Sequence, residues 1–97
     1  MTTEGPDYPV QHFKVMISVA ERLSDHHAQL EKHEYRYDLF GSWYCDFRVR
    51  GHLFRLIYDG RDGRISIDAS DGREIGADEA KQEESESRVS RLLDGVL

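Results

Sequence analysis

Cysteine is almost missing from this sequence: Cys45 stands alone, so no internal disulfide can form and no Cys-rich zinc site can be assembled. Proline is nearly as scarce, confined to Pro6 and Pro9, and no proline interrupts the apolar periodicity that begins at Val10. Long apolar runs are missing too, since nothing approaches the roughly 18 apolar residues in a row that span a membrane. The opening "MTTEGPDYPVQHF" has neither the basic start nor the continuous apolar stretch of a secretory leader, so a cytoplasmic setting without membrane contact is expected. Lysine is sparse, because ten of the 13 basic residues are arginine. That imbalance favours planar, bidentate pairing with carboxylate or phosphate over diffuse positive charge.

With 97 residues, the chain has room for one domain and one core, and too little length for a deep cleft between two lobes. The formal charge of −6 argues against general nucleic-acid binding, which draws its affinity from phosphate neutralisation. The charge is uneven. Residues 34–73 balance seven acidic against seven basic side chains, whereas residues 74–97 hold seven acids against three bases.

Residues 1–8 show no periodicity and read as a flexible lead-in. From Val10 to about Lys32, Phe13, Met16, Ile17, Ala20, Leu23, His27 and Leu30 recur at helical steps, which predicts a helix over 10–32 with its apolar stripe on those residues. Ser24 and Asp25 are its weak point, because their side chains compete for backbone groups. The period then changes to two. Strands are predicted at 34–40, 42–50, 53–59 and 63–69, and a second, acidic helix at 77–93, with Val89, Leu92, Leu93 and Val96 as its docking stripe.

In the stretch "GSWYCDFRVRGHLFRLIYDGRDGRISIDA", Trp43, Cys45, Phe47 and Val49 share one parity while Tyr44, Asp46, Arg48 and Arg50 share the other. A type II′ turn at Gly51 and His52 would set Val49 opposite Phe54, Phe47 opposite Leu56 and Arg48 opposite Arg55. A loop over Asp59–Asp62 would place Leu56 against Ile65, and a reversal at Phe40–Ser42 would pair Leu39 with Trp43. All the strands then agree on one apolar face. The predicted class is α+β: a four-stranded antiparallel meander in the order α-β-β-β-β-α, with the helices covering one sheet face.

The opposite face gathers Arg36, Tyr44, Asp46, Arg48, Arg50, Arg55, Ile57 and Arg64. Arginine and tyrosine beside aliphatic side chains make the composition of an interface centre. The competing reading is a ladder in which Asp46 and Asp68 neutralise the arginines. A second candidate surface is the acidic helix, with Asp78, Glu79, Glu83 and Glu84 able to steer a basic partner.

His26, His27 and His33 are six and seven residues apart, a poor spacing for one helix face, so no metal is assigned. No nucleophile has a base in a known spacing, no glycine-rich nucleotide fingerprint occurs, and Cys45 on the apolar parity is expected to be buried and inert. The expected function is a small acidic non-catalytic protein-binding module of the adaptor, inhibitor or immunity type, without a cofactor, engaging an unidentified protein partner. Self-association as a homodimer is a related expectation. Binding of a polyanion, nucleotide or single-stranded RNA to the arginine face ranks below it.

Overall fold

The computed structural model of the protein describes residues 8–81 and 84–97. The lead-in expected over 1–8 lies outside them, apart from Tyr8. The chain runs α1 (Tyr8–Asp25), β1 (Gln29–Arg36), a 3₁₀ turn (Tyr37–Leu39), β2 (Ser42–Val49), β3 (His52–Asp59), β4 (Arg64–Ala69), β5 (Glu74–Glu79) and α2 (Ser85–Asp94). The strands form one antiparallel meander, β1-β2-β3-β4-β5, so the α+β class holds with five strands in place of the predicted four.

The first helix stops at its weak point. His27 takes a left-handed φ of 56°, and the amides of His27 and Ala28 donate to the carbonyls of Ser24 and Leu23 at 3.1 and 2.8 Å. This is a complete Schellman closure with histidine where glycine is usual. Residues 29–32, expected to continue the helix, are therefore the start of β1. The buried stripe of α1 is His12, Val15, Val19 and Leu23, whereas Phe13 and Ile17 are 67% and 58% exposed. Apolar residues occupy two faces of this helix, and the predicted stripe mixed them: Leu23 is buried and Met16 packs on the core, whereas Phe13 and Ile17 face outward.

β1 begins and ends earlier than predicted, and a bulge between Leu30 and Lys32 explains why its pattern was unreadable. The extra residue lets Leu30 and Tyr35, of opposite parity, face the core partners Phe47 and Trp43. The expected pairing of Leu39 with Trp43 is replaced by Tyr35 with Trp43.

The β2–β3 hairpin turns on Arg50 and Gly51, both at positive φ (49° and 82°), a type I′ turn in place of the predicted II′. Val49 thus pairs with His52, Phe47 with Phe54 and Cys45 with Leu56. Every pair moves by two residues, so the faces are unchanged, but Arg48 now opposes Leu53 and Arg55 opposes Asp46. The like-charge contact expected between Arg48 and Arg55 disappears, and an opposite-charge pair replaces it. The β3–β4 register moves likewise, with Leu56 opposite Ile67 and Tyr58 opposite Ile65.

β5 corrects the expected start of the second helix. Ala77–Glu79 pair with Arg64–Ser66 of β4, and the helix begins only at Ser85. Its predicted docking stripe is present: Val89 and Leu93 are fully buried, with Leu92 and Val96 packed beside them. Both helices lie on the same sheet face, α1 against β1 and α2 against β4 and β5. They also touch each other, through Ser18 Oγ donating to Glu86 Oε1 at 3.1 Å and an Arg22–Asp94 ion pair. The core between the layers holds Trp43, Phe47, Leu56, Tyr58, Ile65 and Ile67 of the sheet with the helix residues above. No helix of the described residues is long and apolar enough to cross a membrane.

Candidate recognition surface

With both helices on one side, the other side of β2, β3 and β4 carries Tyr44, Asp46, Arg48, Leu53, Arg55, Ile57, Ser66 and Asp68. Its arginines are engaged. Arg55 forks onto Asp46, with Nε to Oδ1 at 2.7 Å and Nη2 to Oδ2 at 3.0 Å, and Asp68 lies opposite on β4. Its guanidinium also sits 4.1 Å from the centre of the Tyr44 ring, a cation–π contact. The hydrogen bonds to Asp46 raise the Arg55 pKa above its ordinary value against the cost of desolvation, and the charges of Asp46 and Asp68 add to this.

Arg48 reaches the bulge residue Glu31, with Nε to Oε2 at 2.9 Å, and Nη1 donates to the Gly51 carbonyl at 3.3 Å. Arg36 forks onto Asp38 at 3.1 and 2.9 Å, a pairing that holds the Asp38 carboxyl below its ordinary range. Arg64 pairs with Glu74 at 2.6 Å. Arg50 leaves the face: it donates to the carbonyls of Val96 and Leu97 and ties the hairpin to the chain end. Of the expected ladder only the Arg55–Asp46 rung is present: Arg36, Arg48 and Arg64 pair with Asp38, Glu31 and Glu74 instead, and Asp68 forms no ion pair among the described residues.

A groove of about 460 Å³ opens at one end of this face. Arg36, Tyr44, Arg55 and Ile57 of the predicted set line it, whereas Asp46, Arg48, Arg50 and Arg64 do not. Glu34, Leu39, Phe40, Ser42, Trp43, Tyr58, Asp59 and Arg61 complete it, none of which was assigned to a binding surface from sequence. Two adjoining loops build this end. Phe40 and Gly41 take left-handed φ values of 58° and 72°, which fold the chain back into β2. Ser42 Oγ accepts the Gly60 amide at 2.9 Å, and a Cβ on Gly60 would meet the Phe40 carbonyl oxygen at 2.0 Å. Only glycine admits that approach. Asp59 Oδ1 accepts the amides of Arg61 and Asp62 at 3.0 and 3.1 Å and shapes the β3–β4 turn. Leu39 and Phe40 are left 46% and 53% exposed.

The second predicted surface does not form one acidic helix face. Asp78 and Glu79 belong to β5, Glu84 precedes α2 without a side-chain capping bond to it, and Glu83 lies outside the described residues. Asp78 stands 3.9 and 3.8 Å from Arg88 and Arg91, and Glu84 accepts the Lys81 amide at 3.1 Å.

Elsewhere, burial pushes the Cys45 thiol up to about 12, with Asp46 adding to the shift, so it stays protonated although His33 lies opposite on β1. His12 is buried, stacked on Tyr35 at 4.3 Å between ring centres, and desolvation helped by His33 lowers its pKa to about 4. Among the described residues no three His, Cys, Asp or Glu side chains converge as a metal site would require. No protein-family model matches the chain, and neither a curated protein nor a solved structure matches it.

Proposed function

We propose that the protein is a small non-catalytic binding module of the cytoplasm that captures a protein partner on the open face of its sheet, centred on the Leu39–Phe40 groove. The observation that carries this reading is an apolar hollow with Leu39 and Phe40 half exposed, on the one sheet face that neither helix covers. Exposed aromatic and aliphatic side chains bordered by arginine are what a buried interface centre requires. Asp78 and Glu84 support a second, acidic contact less well, because arginines of α2 already stand beside them. The polyanion alternative also has less to stand on, since Arg36, Arg48, Arg55 and Arg64 each spend their donors on a carboxylate of this chain.

Selection of short peptides from an unbiased displayed library, using the folded full chain as bait, tests the reading. Enriched peptides should bind the chain and an Arg64→Gln variant alike, and should lose binding to a Leu39→Ser/Ile57→Ser double variant that keeps its circular dichroism spectrum. The reading fails if nothing enriches, or if the selected peptides hold the double variant as tightly.

A further inference from the structure

Beside the groove lies a smaller hollow lined by Phe40, Tyr58, Gly60, Arg61, Asp62, Gly63 and Lys81, and the two share Phe40, Tyr58 and Arg61. The groove and hollow therefore adjoin, with Phe40, Tyr58 and Arg61 in the walls of both. Their cations differ from those on the rest of the face. Arg36 and Arg55 are forked onto Asp38 and Asp46, whereas Arg61 and Lys81 make no side-chain ion pair among the described residues. Asp59, two residues before Arg61, uses Oδ1 on backbone amides, and the adjacent Asp62 forms no ion pair with Arg61 among the described residues. Asp62 is the one carboxylate lining the hollow, against two cations.

Resting on the binding reading above, we propose that these adjoining hollows take an extended segment of a partner protein in which a large apolar residue fills the groove over Tyr44 and Ile57, and an acidic residue two positions away pairs with Arg61 and Lys81. An extended chain sets side chains of one face about 7 Å apart, so neighbouring hollows with different chemistry read alternate residues. The apolar half supplies the burial and the cationic half the selectivity. Arg36 and Arg55 keep the rim in place and take no part in reading the acid, because their planar forks are already filled.

Short synthetic peptides on an array provide the test. Each carries one Phe or Leu and, two residues away, Glu, Gln or Lys, and the labelled full chain is the probe. The Glu peptides should bind about fivefold more tightly than the Gln peptides, with the Lys peptides weakest. An Arg61→Gln/Lys81→Gln variant should erase that preference and keep the residual binding to Phe, while Leu39→Ser/Ile57→Ser should remove binding altogether. Equal binding of the Glu, Gln and Lys peptides, or a Glu preference surviving Arg61→Gln/Lys81→Gln, overturns the proposal even where unbiased selection has upheld groove binding. Absence of binding to every array peptide overturns it as well. Two further outcomes do the same: tighter binding of a polyuridine oligonucleotide than of the Glu peptides, or a dimer in sedimentation that Leu39→Ser/Ile57→Ser dissociates, which would make a second copy the occupant.

Discussion

The two faces of the same three strands solve opposite problems. On the covered face of β2, β3 and β4, Cys45, Phe47, Leu56, Ile65 and Ile67 have no exposed surface and meet one another and the helices. On the open face Ser66 alone of the intervening residues is buried, and Arg55 lies in a row with Asp46 and Asp68 across three strands. Burial on the first face is non-directional and scales with area, so it ties helices to sheet. Pairing on the second is directional and screened, so it orders side chains more than it stabilises the fold. The difference teaches where function can reside: the groove lies where Leu39, Phe40, Tyr44 and Ile57 are presented between the paired arginines Arg36 and Arg55.

The sharpest way to break the comparison is on the covered side. Phe47→Ala removes a fully buried ring stacked on Phe54 at 5.6 Å and should cost about 3–5 kcal/mol, read as a lower urea midpoint. A loss below about 1 kcal/mol would mean that this face is not the core.

Acid probes the same side more gently. His12 has a folded pKa of about 4 against 6.5 in the unfolded chain, so between these values the unfolded state binds more protons. Stability from keeping His12 neutral is present above pH 6.5 and is lost as pH falls toward 4, by about 3 kcal/mol. Denaturation midpoints across that window should fall less steeply for His12→Phe, which keeps the stack on Tyr35. Parallel profiles for the two proteins would remove His12 as the cause.

The smallest effect belongs to the open face. A double-mutant cycle on Arg55→Ala and Asp46→Ala should return a coupling of about 0.5–1 kcal/mol, shrinking in high salt. A coupling as large as the Phe47 effect would erase the distinction between the faces.

Legibility in the sequence followed the same division. β2, β3 and β4 were readable because each is flanked on both sides by strands; β2 and β4 alternate strictly, as in Trp43, Cys45, Phe47 and Val49, and the parity of β3, with Leu53 and Ile57 on its outer side, follows from pairing with them. The edge strands were not. β1 hides its parity behind the Glu31 bulge, and "EIGADE" of β5 has so little apolar content that only pairing with β4 makes it a strand. The groove was half legible: Arg36, Tyr44, Arg55 and Ile57 follow from parity, but reading 34–40 as a strand concealed the turn that brings Leu39 and Phe40 to them. Arg61 and Lys81 lie 20 residues apart in a turn and just beyond β5, with no periodicity to connect them.

Sequence by itself determined which side chains of β2, β3 and β4 face inward, because alternation is a local property that survives any shift of pairing by two residues. Tertiary structure alone decided the partners across each strand pair: that Arg55 meets Asp46, that the Leu39 turn rests on Gly60, and that both helices share one face. Those outcomes depend on turn conformations and on contacts between distant segments, whose energies no short window of residues contains.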